Sequence, residues 1–391
     1  MHPWKGTVVV LLLMTGCSTL RQEQSSVPKL DPKEIALQDR VEMEDLLSAH
    51  ETSSKDEVIP ETTQEKTVLE DSYLDDVHVP KKSEALVKTS DTIPTDAHRP
   101  EVRKWIHYFT NQDRERFARF IERGARYKDL VSRILKVEGV PPEIFYLGVI
   151  ESGYVTHAKS HASAVGIWQF IKGTGKRYGL RVNRQVDERR DPVRATRAAA
   201  RYLRDLNERF QSWPLALAAY NSGEGRVASA IRRGRSQDYW RLSNLGYLPE
   251  ETADYVPKFL AAVWIGQHPA QYGFDKEPNF AYPDLLGVEF PSHLTLSALA
   301  KKAKLAPAVL ETVNPHVLTR SVPEIGHGKY VLWVPEEHAP VFRKISKFLE
   351  PLVAKVRRHP ATAHRSWAHP KHAKRARTLL VASNKKRKHH K

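Results

Sequence analysis

The chain has 391 residues, enough for two or three folded units, and 40% of them are hydrophobic. Together with a mean hydropathy of -0.52, this excludes a collagen-like chain, a chain of low complexity throughout and a protein with many membrane spans. The formal net charge of +16 favours an anionic partner such as nucleic acid, a membrane or a cell-wall polymer, and the single cysteine excludes a framework of internal disulfides.

Residues 1–16 have the pattern of a secretory signal. Lys5 precedes a short apolar run that ends at Met14 and is too short to span a bilayer. The small residue before Cys17 makes this segment resemble a bacterial lipobox, although Met14 stands where leucine is usual. The resemblance implies a lipidated Cys17, with plain secretion or an uncleaved anchor as the alternatives. Ser18, in place of an aspartate, implies an outer-membrane lipoprotein on the periplasmic side.

Two segments have strongly biased charge. Residues 31–98 carry 18 acidic and seven basic side chains and no glycine, which predicts that residues 17–98 form an acidic disordered linker. Residues 355–391 carry 13 Lys and Arg, six His and no acid, which predicts a basic disordered tail. The irregular histidine spacing gives no reason to expect a metal site.

Between these segments, residues 99–275 have helical periodicity. Apolar positions recur at helical spacing from Val102 to Tyr127, and Pro141-Pro142 opens a further helix that stops at Gly153. Asp191-Pro192 is an N-cap pair, and Trp213 to Tyr220 forms another helix. We therefore expect a mainly α unit.

Residues 285–340 have a different, α+β pattern. Thr295 starts a short helix, a second helix ends at Pro315, and residues 329–335 alternate as a strand. This order resembles the LysM module, a small βααβ glycan binder, although the segment 290–293 lacks the glycine–aspartate turn of that module. An unrelated α+β cap is the alternative. If the unit is a separate module, residues 285–391 can be removed without loss of the chemistry.

Glu151 is the leading candidate for a catalytic acid. It lies at the end of a short apolar helix, where burial and the negative end of the helix dipole both raise a carboxyl pKa. A carboxyl that stays protonated near neutral pH is suited to donate a proton to a glycosidic oxygen. From this helix alone, a solvated carboxylate at a helix end is the alternative. The apolar neighbours are Ile144, Phe145, Leu147 and Ile150.

Further motifs follow in order along the chain. They are Glu151-Ser152-Gly153-Tyr154, the segment 158–170, the segment 174–180, Asp187 to Pro192, Ala218 to Gly225, and Leu248 to Lys258. From about Val102 to Phe274 the sequence resembles the lytic transglycosylases of the soluble type, in particular the membrane-bound murein transglycosylase D group. The resemblance implies a helical domain like that of goose-type lysozyme.

It also implies an activity, the cleavage of the β-1,4 bond between N-acetylmuramic acid and N-acetylglucosamine in peptidoglycan without water as nucleophile. Glu151 would protonate the leaving oxygen and then deprotonate the muramoyl 6-hydroxyl, which closes on C1 to give a 1,6-anhydro product. Ser160 and Gln169 would hydrogen-bond the sugar and hold Glu151. Tyr220 would orient the acid, and Asn221 would shape the floor of the site. No cofactor and no metal is expected.

Two other functions stay open at this stage. A hydrolytic muramidase needs a second carboxyl, for which the candidates are Asp187, Glu188, Asp191 and Glu224. A non-catalytic scaffold that binds peptidoglycan would keep the fold without turnover. Nucleic-acid binding is supported by charge alone, and the export signal argues against it.

Overall fold

The computed structural model describes residues 92–358 apart from 277, 279–280, 293 and 326–328. The predicted signal segment, Cys17, the linker as far as residue 91 and the tail from residue 359 lie outside the described residues. Among the helices that are described, none is both long and apolar enough to cross a membrane.

The first half of the catalytic segment is a series of short helices. Its helices are α1 (Pro100–His107), a π-helical turn (Tyr108–Gln112), α2 (Arg114–Ala125), α3 (Lys128–Val137), a 3-10 turn (Pro142–Ile144), α4 (Phe145–Ser152) and α5 (Lys172–Arg177). Gly153 ends α4 in the left-handed conformation, with φ of +55°. A Cβ atom there would lie 2.3 Å from the ring of Phe120, so this tight helix end depends on glycine.

The second half contains the two long helices of the domain. Its elements are a 3-10 turn (Glu188–Arg190), α6 (Pro192–Phe210), α7 (Trp213–Ser222), α8 (Glu224–Gly234), α9 (Tyr239–Asn244), α10 (Glu250–Gln267) and α11 (Pro269–Tyr272). Asp191 caps α6 as predicted, since its carboxylate accepts the amides of Val193 and Arg194. A row of small residues on α6 is fully buried and lets α7 pack closely against it. The prediction of a mainly α unit is confirmed.

Helix α10 lies at the centre of this domain and packs against α1, α4 and α7. Its buried side chains include Val256, Phe259 and Leu260, which join the main hydrophobic core. Because α4 and α7 both pack against α10, side chains at their ends are brought to one place.

The C-terminal unit has the order β-α-α-β-α. It consists of β1 (Leu285–Pro291), α12 (Leu296–Lys302), α13 (Pro307–Thr312), β2 (Lys329–Pro335), a 3-10 turn (Glu336–His338) and α14 (Ala339–Arg358). The strands pair antiparallel, from Leu285 opposite Pro335 to Pro291 opposite Lys329. Helix α14 packs on β1 and was missed by the sequence analysis, which placed the start of the basic tail at 355; residues 355–358 form the end of this helix. The relation to LysM stays a prediction.

The C-terminal unit shares a hydrophobic core with the helical domain. Leu130, Ile134, Val186 and Val193 of the helical domain pack in one cluster with the apolar side chains of β1, β2 and α14. The backbone continues the contact, since the amide of Asp187 donates to the carbonyl of His316 at 2.9 Å. This shared core argues against the expectation that residues 285–391 can be removed without loss of the chemistry, because removal would expose these side chains to water.

Buried polar groups join the same two parts. The Trp333 indole donates to Asp191 at 2.7 Å, and Arg194, which also pairs with Asp191, donates to the carbonyl of Val331 at 3.0 Å. His316 lies 3.3 Å from Asp191, and burial lowers its pKa to about 4, so its ring is neutral at neutral pH. Arg194 is therefore the cation that compensates the buried acid at this interface.

We expect Arg194→Met to lower the free energy of unfolding by about 3–5 kcal/mol, because it leaves Asp191 buried without its cation. Urea denaturation measures the change. The control is Lys104→Met, which removes an exposed ion pair with Asp254 and should cost less than about 1 kcal/mol. A change of under 1 kcal/mol in Arg194→Met would show that the Arg194–Asp191 ion pair does not stabilise the fold.

Candidate active site

Glu151 lies in the last turn of α4, as the sequence predicts. Four apolar residues of this helix and of the turn before it are almost fully buried around its base: Ile144, Phe145, Leu147 and Ile150. Glu151 as a whole residue is itself only partly buried. Burial raises the pKa of Glu151 from 4.5 to about 7, which outweighs the groups that favour its charged form.

Two tyrosines surround this carboxyl. The Tyr255 hydroxyl, on α10, donates a short hydrogen bond to Oε1 of Glu151. The Tyr220 hydroxyl, at the end of α7, donates to the carbonyl of Trp168 at 2.6 Å. Burial and then the negative charge of Glu151 raise the pKa of both phenols well above 10, so both stay protonated and act as donors.

Two charged side chains of α10 shift the pKa of Glu151 in opposite directions. Lys258 lowers the pKa of Glu151 and Glu251 raises it, and both effects are smaller than that of burial. Lys258 also lies over the ring of Trp105, with Nζ 5.6 Å from the ring centre, and its own pKa is lowered by burial. The Glu151 carboxyl is thus influenced by the charge of Lys258 and by the apolar end of α4.

The loop 158–170 forms one wall of the site. Two antiparallel bridges, Lys159 with Val165 and Val165 with Phe170, fold it back on itself. Gly166 has a φ of +85°, and a Cβ atom there would lie 1.9 Å from the carbonyl oxygen of Arg189. Only glycine fits so close to this carbonyl, which belongs to the turn that precedes α6.

Ser160 and Gln169 both form hydrogen bonds within the loop 158–170. Ser160 accepts the amide of Ala164 at 3.1 Å, and Gln169 donates to the carbonyl of Gly166 at 2.8 Å. Tyr255 donates the hydrogen bond to Glu151, and the expectation that Ser160 and Gln169 hold Glu151 stays a prediction. A role for Ser160 and Gln169 in binding sugar stays a prediction as well.

Asn221 connects two elements of the site. Its Oδ1 accepts the hydroxyl of Thr252 at 2.9 Å, and its Nδ2 lies 3.4 Å from Glu251. These contacts join the end of α7 to the first turn of α10. Asn221 thereby fixes the relative position of the helices that carry Tyr220 and Tyr255, and its predicted place in the floor of the site stays a prediction.

The other candidate acids are paired with cations. Asp187 pairs with Arg189 at 2.8 Å, and Glu188 accepts the Tyr330 hydroxyl at 2.8 Å. Asp191 is completely buried at the interface with the C-terminal unit. Glu224 lies at the surface between Arg177 and Arg209. Each has a structural partner, which argues against these four residues as a second working carboxyl.

The sequence analysis missed the roles of Tyr255 and Lys258. It noted their segment as one of the motifs but assigned it no function. Glu251, Tyr255 and Lys258 are spaced four and three residues apart, so they share one face of a helix, and that spacing was the available indication. Which side chain this face meets depends on how α10 packs on α4, and the local pattern does not contain that information.

Comparison with known proteins agrees with this geometry. Residues 132–243, which include Glu151, Ser160, Gln169, Tyr220 and Asn221, match the sequence model of the transglycosylase SLT domain. The chain contains a transglycosylase SLT domain. It is 37% identical over 227 residues to membrane-bound lytic murein transglycosylase D of Escherichia coli K12, covering 57% of this chain and 49% of that protein. The chain thus spans about half the length of this curated relative.

Two further proteins are similar over shorter parts of their length. The peptidoglycan transglycosylase gp16 of Escherichia phage T7 is 43% identical over 99 residues, which cover 25% of this chain and 8% of the phage protein. The crystal structure of the 70 kDa soluble lytic transglycosylase of Escherichia coli aligns with a TM-score of 0.33 and 18% identity, covering 47% of this chain and 38% of that one.

The raised pKa of Glu151 predicts a pH-dependent stability. Between pH 4.5 and 7 the folded SLT domain binds more protons at this residue than the unfolded chain, so the free energy of unfolding falls as pH rises. Glu151→Gln does not titrate. We expect its stability relative to wild type to increase by up to about 3 kcal/mol from pH 4.5 to pH 8. Urea denaturation at both pH values tests this, and a pH-independent difference would contradict the burial of Glu151.

Proposed function

We propose that this protein is a peptidoglycan lytic transglycosylase that cleaves the β-1,4 bond between N-acetylmuramic acid and N-acetylglucosamine. The observation that carries the proposal is a single carboxyl, Glu151, with a pKa of about 7 and a phenol hydrogen-bonded to it, inside an SLT domain. The relatives named for lytic murein and peptidoglycan transglycosylase activity support the substrate class.

In the first step Glu151 acts as a general acid. Near neutral pH a large fraction of a carboxyl with this pKa is protonated, and the proton goes to the glycosidic oxygen as its bond to C1 breaks. The Tyr255 hydroxyl and Lys258 stabilise the carboxylate that remains. The developing positive charge at C1 lies beside this new carboxylate, which favours the transition state.

In the second step the same carboxylate acts as a base. It takes the proton of the muramoyl 6-hydroxyl, whose oxygen forms a bond to C1 and closes the 1,6-anhydro ring. One C–O bond breaks, one C–O bond forms, and the proton moves from the 6-hydroxyl to the leaving oxygen through Glu151. No water is consumed, so one carboxyl suffices. A protonation equilibrium near pH 7 suits a group that gives and takes a proton in one cycle.

The alternatives have weaker support. A muramidase with two carboxyls needs a second acid about 5–9.5 Å away from the first, and the candidate acids Asp187, Glu188 and Asp191 are engaged in buried ion pairs or hydrogen bonds. A scaffold without turnover gives no reason for a carboxyl whose pKa is raised to about 7.

The test is the turnover of purified peptidoglycan by Glu151→Gln. An amide keeps the shape of the side chain but cannot cycle a proton, so we expect the rate to fall by about 10²-fold to 10⁴-fold while binding to the glycan persists. Glu224→Gln is the matched control, because Glu224 lies at the surface and should leave the rate within a few-fold of wild type. Wild-type turnover in Glu151→Gln would refute the assignment.

We also propose that the protein is held at the periplasmic face of the outer membrane by a lipid on Cys17. The similarity to a relative named as membrane-bound supports an association with the envelope. The lipobox-like sequence that ends at Cys17 supports the anchor. Glycan strands and the membrane are then the expected partners.

Cys17→Ser tests the anchor. We expect this variant to move from the membrane pellet to the soluble periplasmic fraction, because serine lacks the thiol that carries the proposed lipid anchor. Cell fractionation with a high-salt wash measures the distribution, and Ser18→Ala serves as the control. A Cys17→Ser protein that still pellets after the wash would show that the anchor lies elsewhere.

A further inference from the structure

Arg189 forms hydrogen bonds to the loop 158–170, which is called the active-site loop below. Its Nη1 donates to the carbonyl of Ser163 at 3.1 Å and to the carbonyl of Phe170 at 3.0 Å, so one guanidinium group joins both ends of the segment 163–170. This segment contains Gln169 and the Trp168 carbonyl that accepts the Tyr220 hydroxyl. Arg189 is buried and touches no group of Glu151, so its effect on the site passes through this loop.

The C-terminal unit forms hydrogen bonds to Asp187 and to the 3-10 turn Glu188–Arg190, which carries Arg189. Asp187 fixes the guanidinium with two hydrogen bonds, of 2.9 and 2.8 Å, and the amide of Asp187 donates to the carbonyl of His316. Glu188 accepts the Tyr330 hydroxyl at 2.8 Å and the amide of Arg181 at 2.7 Å. These hydrogen bonds form a relay from Tyr330 to Arg189. Both of these residues are buried, so water does not readily replace a lost partner.

We propose that Tyr330 and Arg189 are positioning residues through which the C-terminal unit holds the active-site loop in its working geometry. The path runs from Tyr330 to Glu188, along the turn to Arg189, and from Arg189 to the loop that supports Tyr220. The C-terminal unit is then a structural part of the active site, in addition to any contact that it makes with glycan. The kinetic part of this inference rests on the proposed function.

Tyr330→Phe is the main test, because it removes one hydroxyl and keeps the buried ring. The control is Ser346→Ala, which removes a hydroxyl that bonds to the carbonyl of Glu289 inside the C-terminal unit, away from the turn. Hydrogen exchange of full-length proteins is the first readout. We expect the amides of Val165 and Phe170, which bond to each other's carbonyls, to exchange about 10-fold faster in Tyr330→Phe alone.

The amides of α7 at residues 215–219 distinguish positioning from general loss of stability. They should keep their wild-type exchange in Tyr330→Phe, since the relay does not pass through them. Equal acceleration of the loop and of α7, or an unchanged loop, would overturn the proposal. This readout does not require turnover, so it decides the inference even if the protein proves not to cleave peptidoglycan.

Steady-state kinetics on a short soluble glycan is the second readout. We expect Tyr330→Phe to lower kcat about 10-fold with KM within about 2-fold, and Arg189→Lys, which cannot keep every hydrogen bond of the guanidinium, to lower kcat by about 10²-fold. Ser346→Ala should match wild type. If wild type is active and both Tyr330→Phe and Ser346→Ala keep its kcat at a temperature where all are folded, the positioning role is refuted.

Discussion

A carboxyl that stays protonated near neutral pH needs apolar surroundings, yet it must remain open to a substrate. Glu151 meets both conditions because it ends a short apolar helix whose other side chains are buried, while the residue as a whole is only partly buried. Burial alone would favour the neutral form strongly, and Tyr255 and Lys258 limit that effect. The result is a pKa of about 7, at which the group can both give and accept a proton. Much of the helical domain serves to maintain this balance.

The same constraint explains how the helices are joined. The pKa of Glu151 depends on burial at the end of α4 and on three side chains of α10, so small shifts between these helices would change it. Asn221 and Thr252 tie α7 to α10, and Tyr220 is tied to the active-site loop by the Trp168 carbonyl. The buried side chain of Arg189 donates hydrogen bonds to two carbonyls of that loop. The C-terminal unit is attached to the helical domain through a shared hydrophobic core and a buried polar cluster.

Local patterns in the sequence predicted those features that depend on neighbouring residues. The helix end at Gly153, the cap at Asp191 and the burial around Glu151 follow from apolar spacing and from the conformational preferences of single residues. The partner of Glu151 could not be predicted in this way, since Tyr255 is 104 residues away and meets it only through helix packing.

The C-terminal unit shows the same limit. Its two short helices and second strand could be recognised from local periodicity, but α14 and the attachment of the unit could not. Leu130 and Ile134 of α3 pack in a second core with β1, β2 and α14, a contact that helical spacing alone does not reveal. Asp187 and Glu188 were considered as candidates for a second catalytic carboxyl, and the structure shows that Asp187 pairs with Arg189 and Glu188 with Arg194, while Glu188 also accepts a hydroxyl from β2.

The central claim is that one carboxyl completes the reaction without water. Digestion of purified peptidoglycan in oxygen-18 water, followed by mass spectrometry of the products, tests it most directly. If Glu151 passes the proton of the muramoyl 6-hydroxyl to the leaving oxygen, the new muramoyl ends are lighter than the hydrolysis product by one water and carry no oxygen-18 from the solvent. Incorporation of oxygen-18 at C1 of muramic acid would contradict the account and identify the protein as a hydrolase.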